Sequence, residues 1–240
     1  MILSRREAIK VLAGTAAAAA GVTLAAQPAA SATDLPRWGM VVDLRKCIGC
    51  QACTVACNVE NQVPLGYFRT ISSIYEVETA GQIRRVQMPR TCNQCGDPPC
   101  VRVCPTQATY QREDGIVVVD NTVCIGCGYC VQTCPYSARF INPETHTADK
   151  CTFCLHRVQA GLLPACVETC VGGARIFGDL NDPASRVSQL LAQFDTRVLK
   201  PYENTEPNVF YIGLDEALQG KVQGQPLYRF QSLFEEVQSG

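Results

Sequence analysis

An α+β fold built from two similar halves is predicted by three features of the chain. Sixteen cysteines fall into four groups, every group closes with C-x3-C at helical spacing, and short apolar runs follow the later groups as strand candidates. The halves follow from the repeat: two groups and their connecting strands make one unit, and four groups make two.

Bulk properties narrow the function. Length 240 allows one large domain or two modest ones, and 47% hydrophobic against 18% charged residues is a globular balance. The net charge of −1 provides no basic field for nucleic acid. Without residues 1–32 the count is 18 Lys+Arg against 21 Asp+Glu, a net charge of −3. Cysteine is the one strong deviation.

Residues 1–32 read as an export signal. A basic start containing Ser4-Arg5-Arg6 and Lys10 precedes an Ala- and Gly-rich apolar run, 11–26, and then the small-x-small site Ala30-Ser31-Ala32. That run is too short and weak for a membrane span. SRREAIK resembles the twin-arginine pattern except at Ala8, where Phe is preferred. This route exports folded proteins, so metal can be inserted while the thiols are reduced, and it predicts a periplasmic destination.

The groups are Cys47/50/53/57, Cys92/95/100/104, Cys124/127/130/134 and Cys151/154/166/170, with none left over. The first and third are C-x2-C-x2-C-x3-C; the second is C-x2-C-x4-C-x3-C and the fourth C-x2-C-x11-C-x3-C. A C-x2-C-x2-C loop places three thiolates on one cubane and turns its backbone N–H groups toward sulfur. Gly49, Gly126 and Gly128 supply backbone freedom there. The last two cysteines, one helical turn apart, carry the fourth thiolate toward a neighbouring cluster. Pro105 and Pro135 disfavour continuing that turn. This is the bacterial ferredoxin run, whose fourth cysteine serves the partner cluster.

Competing readings fit the spacing less well. Structural zinc needs two C-x2-C pairs per ion and gains nothing from a third cysteine in the run. Disulfides between tightly clustered cysteines make poor long-range staples. A radical enzyme would show C-x3-C-x2-C with an open iron, and that spacing is absent. Four [4Fe–4S] clusters use all sixteen thiolates, which leaves no iron for a substrate. The chain therefore carries electrons, has no catalytic residue and binds no small-molecule substrate directly.

The connecting segments repeat. ATYQ and IVVVD flank Asp114-Gly115, ARFI precedes a turn at Asn142-Pro143-Glu144, and ARIF recurs after Cys170. An insertion, 58–91, contains alternating residues 74–78, a turn at Ala80-Gly81 and a return over 83–86. The paired ferredoxin-like domains span 33–180. The remainder, 181–240, holds a helix over about 182–193 opened by Asp182 as cap and Pro183 at its first position. It then holds a strand over 208–212 and a tail with Leu227, Tyr228, Phe230, Leu233 and Phe234 that covers the core or a partner. Lys46, Lys150, Arg139 and Arg175 lie beside cluster cysteines, where they either tune potential or are solvated surface charge. His146 and His156 read as structural or surface residues, and Tyr129 as packing. Spacing leaves two pairings of groups open: sequential, or second with third and first with fourth.

The stretches DLRKCIGCQACTVACNVENQ, QREDGIVVVDN, DKCTFCLHRVQAGLLPACVETCVGGARI and RVLKPYENTEPNVFYIGLD carry a resemblance across essentially the whole chain after residue 32. It resembles the four-cluster electron-transfer subunits of molybdopterin oxidoreductases, and within them those of tetrathionate reductases. The resemblance implies that Cys47, Cys50, Cys53 and Cys170 hold cluster 1, and Cys151, Cys154, Cys166 and Cys57 cluster 2. Cys92, Cys95, Cys100 and Cys134 would hold cluster 3, and Cys124, Cys127, Cys130 and Cys104 cluster 4. Some relatives lose a cysteine of the second group, but Cys100 is present here. The implied partners are a molybdopterin catalytic subunit and a quinol-oxidising membrane subunit, with tetrathionate reduced to thiosulfate. Arsenate, polysulfide, thiosulfate, dimethyl sulfoxide and nitrite are the alternative acceptors in the same role.

Overall fold

The computed structural model describes residues 35–79, 81–214 and 218. The expected signal over 1–32 and the apolar tail residues from Leu227 to Phe234 lie outside the described residues. Helices and strands are mixed, as an α+β reading requires. Among the described residues no helix is long and apolar enough to cross a membrane.

A four-stranded sheet forms one wall of the molecule. Its order is β8 (Arg175–Asp179), β1 (Trp38–Asp43), β10 (Val209–Ile212) and β9 (Thr196–Arg197). β1 runs antiparallel to β8 and parallel to β10. Strand alternation sorts its two faces. Val41 and Ile212 join Val187 and Leu190 of helix α6 (Arg186–Gln193) on one side. Met40, Val42, Val209 and Tyr211 face the other way, into a core shared with Cys92, Cys151 and Cys166. The sheet is thus a partition between an ordinary apolar layer and the sulfur-rich interior. The C-terminal segment supplies β9 and β10, so its chain is woven beside β1.

Among the described residues three hairpins complete the strands. β4 (Thr109–Gln111) pairs with β5 (Val117–Val119), and β6 (Arg139–Ile141) with β7 (Ala148–Lys150), as the turn signals predict. β2 (Thr70–Thr79) pairs with β3 (Gln82–Thr91) across two connecting residues. This last hairpin is much longer than expected. Pro89 argues against a strand in the sequence, yet it sits opposite Ser72 in the ladder, and its carbonyl accepts from the Tyr211 hydroxyl at 3.3 Å. The ARIF run differs from its look-alike after Cys134: β8 has no hairpin partner of its own and pairs with β1.

The C-terminal helix begins later than expected. Asp182 Oδ1 accepts from the Ala184 N–H at 2.8 Å in a turn that precedes the helix, and Ser185 takes the cap, its Oγ accepting from the Ser188 N–H at 3.3 Å. The remaining helices are α1 (Ala52–Glu60), α2 (Pro99–Arg102), α3 (Tyr129–Gln132), α4 (Leu155–Gln159) and α5 (Ala165–Glu168). α1 packs against α5, and α2 against α3.

Candidate metal centres

Each cysteine group opens on the same backbone bend. The residue immediately before the second cysteine has positive φ in all four groups: Gly49 (70°), Gln94 (46°), Gly126 (67°) and Phe153 (53°). Glycine serves two of them, whereas Gln94 and Phe153 hold a conformation that L-residues adopt at a cost. At Gly126 a side chain is also excluded by space, because a Cβ would stand 2.3 Å from the His146 carbonyl oxygen.

The helical turns then distribute the thiols. α1 carries both Cys53 and Cys57. In the other groups the turn carries the third cysteine (Cys100, Cys130 or Cys166) and ends before the fourth. Ending there frees backbone N–H groups that a longer helix would use. Thr109 N–H donates to Cys104 Sγ at 3.4 Å, and Ala174 N–H to Cys170 Sγ at 3.2 Å. At Cys134 burial raises the thiol, and the Ala138 N–H acts against that rise. α1 continues past Cys57, so its N–H groups stay in the helix; the Asn61 side chain substitutes, with Nδ2 3.6 Å from Cys57 Sγ. Cys124 and Cys151 accept from the N–H groups of Ala148 and Phe153, each at 3.4 Å.

The thiols ring recesses. One is lined by Cys47, Cys50, Cys53 and Cys170 together with Arg175, and another by Cys92, Cys95, Cys100 and Cys134 together with Arg139. Cys57 has Cys151, Cys166 and Cys154 as its electrostatic neighbours, and Asn61 Nδ2 also stands 3.6 Å from Cys154 Sγ. Cys124 and Cys130 share an apolar cluster with Cys100 beside the packed α2 and α3 turns. All sixteen cysteines are free of disulfides. Among the described residues no set of three or more His, Cys, Asp or Glu side chains closes on a point where one ion could sit. A set of soft sulfur donors with inward N–H groups fits [4Fe–4S] clusters.

Burial governs the interior thiols. It pushes Cys95 and Cys166 up to about 12, with neighbouring thiols adding to the shift, and carries Cys57 above the ordinary range. At Cys104 burial also acts upward, but donors from Thr109, Thr106 and Ala108 outweigh it and the thiol is lowered. By contrast Cys50 and Cys127 are exposed.

Three cations lie among these sulfurs. Arg175, Lys150 and Arg139 are 3%, 1% and 6% exposed, which removes the solvated-surface reading for them; Lys46 is exposed and keeps it. Burial opposes the Arg175 and Arg139 charges, yet adjacent thiols more than offset it and both are raised. Burial, reinforced by the nearby Arg139 guanidinium, lowers Lys150 against the opposing pull of Cys92, Cys151 and Cys100. Arg175 Nε and Arg139 Nη2 lack a hydrogen-bond partner among the described residues, an orphaned state that sulfide acceptors of a bound cluster would relieve.

Sequence reasoning missed Asn61, whose Oδ1 accepts from Arg69 Nη1 at 2.9 Å. It also missed the ion pair of Arg69 Nε with Asp149 Oδ1 at 2.6 Å. No local signal marks either. His146 and His156 are on the surface as expected, His156 meeting Glu60 at 2.7 Å. Tyr129, expected to pack, is exposed.

Models of the 4Fe-4S dicluster domain match residues 46–108 and 83–180. The chain is 61% identical to the B subunit of tetrathionate reductase from Salmonella typhimurium over 193 residues, 79% of this chain and 77% of that one. It belongs to the iron–sulfur B subunits of reductase complexes. This iron–sulfur subunit is also 48% identical to the B subunit of tetrathionate reductase from Archaeoglobus fulgidus, covering 74% of this chain and 83% of that one. The corresponding B component of polysulfide reductase from Wolinella succinogenes is 41% identical, covering 73% and 94%. As members of this family do, the subunit transfers electrons and leaves catalysis to another polypeptide, and its two dicluster domains and sixteen cysteines fit four [4Fe–4S] clusters.

Proposed function

We propose that the chain relays electrons from a quinol-oxidising membrane subunit to a molybdopterin catalytic subunit that reduces tetrathionate to thiosulfate in the periplasm. The carrying observation is the 61% identity to a tetrathionate reductase B subunit, above the 41% to its polysulfide reductase counterpart. The periplasmic site rests on the twin-arginine pattern over 1–32.

The ligand sets are Cys47/50/53/170, Cys151/154/166/57, Cys92/95/100/134 and Cys124/127/130/104. Support comes from the cysteine-lined recesses, from Asn61 bridging Cys57 and Cys154, and from the pairing of α1 with α5 and of α2 with α3. These sets make two bacterial-ferredoxin-like units, outer groups with outer and inner with inner, followed by the C-terminal extension. Bound at such a set, a cluster takes up and returns one electron. The residues do the rest: thiolates hold the metal, N–H groups offset their charge, and full ligation excludes substrate.

The sets follow one another in a line. α1 and α5 join the first set to the second, α2 and α3 join the third to the fourth, and Cys151 and Cys92 are electrostatic neighbours across the middle. The exposed thiols belong to the two end sets: Cys50, with exposed Ile48 in its own loop and exposed Val171 directly after Cys170 of the same set, and Cys127, with exposed Ile125 and Tyr129. Those apolar rims are where the two partner subunits dock.

The test is purification with the catalytic partner. Iron and acid-labile sulfide near sixteen each per chain, and reoxidation of the reduced complex by tetrathionate, are expected. Reoxidation by arsenate and not tetrathionate would overturn the acceptor, and a colourless zinc protein would overturn the role.

A further inference from the structure

Three buried cations without acidic partners require an explanation. Among the described residues, no Asp or Glu forms an ion pair with Arg175, Lys150 or Arg139. A buried charge is tolerated only when something compensates it. Their positions indicate what does so.

Arg175 lines the recess of Cys47, Cys50, Cys53 and Cys170, while its Nη1 stands 3.9 Å from Cys166 Sγ of the second set. Nη2 donates to Thr70 Oγ1 at 2.7 Å and Nη1 lies 3.7 Å from Met40 Sδ, which fixes the guanidinium between the sets. Lys150 Nζ donates to the Cys151 carbonyl at 2.9 Å and to the carbonyl of Val117. Cys151 belongs to the second set, and Val117 lines the recess of the third. Arg139 lines that third recess, reaches Thr109 Oγ1 at 3.2 Å and has Cys130 of the fourth set as an electrostatic neighbour. Each junction in the line of sets therefore has one cation: Arg175 between first and second, Lys150 between second and third, Arg139 between third and fourth.

We propose that Arg175, Lys150 and Arg139 are positioning residues that act through the clusters, one at each junction, each raising the reduction potentials of the two clusters it separates. The physical ground is simple. An added electron makes a thiolate-ligated cluster more negative, and a cation in a low-dielectric interior stabilises that charge. A cation shared by two neighbours stabilises the electron on either side, so no hop leaves it stranded away from positive charge. This inference rests on the ligand sets proposed above.

EPR-monitored redox titration of the cluster-loaded complex tests it. Arg175→Gln, Lys150→Gln and Arg139→Gln are expected to lower the midpoint potentials of the two flanking clusters and leave the other two unchanged, with iron still near sixteen per chain. Cys50→Ser and Cys127→Ser identify the signals of the first and fourth sets. Unchanged potentials, or a common shift of all four, would overturn the proposal. Shifts limited to two clusters that the serine variants assign to a different pair would overturn the ligand sets and leave the cation role standing. For a variant that sheds iron, the charge-keeping Arg175→Lys, Lys150→Arg or Arg139→Lys decides. Retained potentials uphold the role of charge, and potentials that fall as in the neutral variants refute it.

Discussion

Asn61 and Cys154, 93 residues apart in sequence, meet with the amide Nδ2 3.6 Å from the cysteine sulfur. The same nitrogen lies 3.6 Å from Cys57 Sγ, so one side chain serves two thiols of one proposed set. In the other groups a main-chain N–H does this work. Replacing Asn61 with Leu removes a donor to charged sulfur, an interaction of about 1.5–3 kcal/mol. The expected result is a lower midpoint potential for the second cluster alone, with all iron retained, read by redox titration.

Arg69 holds Asn61 and also pairs with Asp149, the two side chains being 17% and 10% exposed. Arg69→Leu leaves the Asp149 carboxylate buried without its partner, and loss of one member of such a pair costs about 3–5 kcal/mol. A depressed unfolding midpoint is expected, and Arg69→Leu combined with Asp149→Asn should recover much of it. Thermal unfolding of both variants checks this.

Gly172 lies at an ordinary φ, yet a Cβ there would stand 2.4 Å from the Lys46 carbonyl oxygen. Gly172→Ala therefore acts through space alone, forcing the loop before Cys47 away from Cys170. Loss of one cluster, about four iron atoms per chain, is expected by metal analysis.

Cluster removal should be ordered. Cys50 and Cys127 are exposed, whereas all four thiols of the Cys57/151/154/166 set are buried. A chelator with mild oxidant should strip about half the iron first, and mass spectrometry should find Cys50 and Cys127 alkylated before Cys57 or Cys166.

Glu60 gives a pH signature. The His156 hydrogen bond, aided by Arg157, holds its carboxyl below the ordinary 4.5. A lowered folded-state value means the contribution is present above pH 4.5 and disappears as pH falls through that lowered value. The difference in unfolding midpoint between the native chain and Glu60→Gln should therefore be present above pH 4.5 and vanish in acid.

What the sequence reveals depends on how local each cause is. The cysteine groups, the hairpin around Asp114-Gly115 and that after Arg139 are short-range and legible. The β1 strand is not, because WGMVVD is buried on both faces and shows no polar alternation. Helix α6 is foreseen from the sequence but three residues too early, since Asp182 and Ser185 are both good caps and only packing chooses between them. Lys46 and Lys150 each precede a cysteine, yet one is exposed and the other buried. Which strand closes over a lysine is decided by Val117, 33 residues away. The sharing of thiols between groups is equally invisible to spacing.

The placement of Cys53 and Cys57 on one helix has a kinetic consequence. Four residues of α-helix rise about 6 Å, and that interval is fixed by hydrogen-bonded backbone. Tunnelling rates fall exponentially with separation, so a flexible tether would let the transfer time wander with every thermal fluctuation. A single rigid turn works as a ruler, keeping the step between adjacent redox centres constant while the partners on either side move.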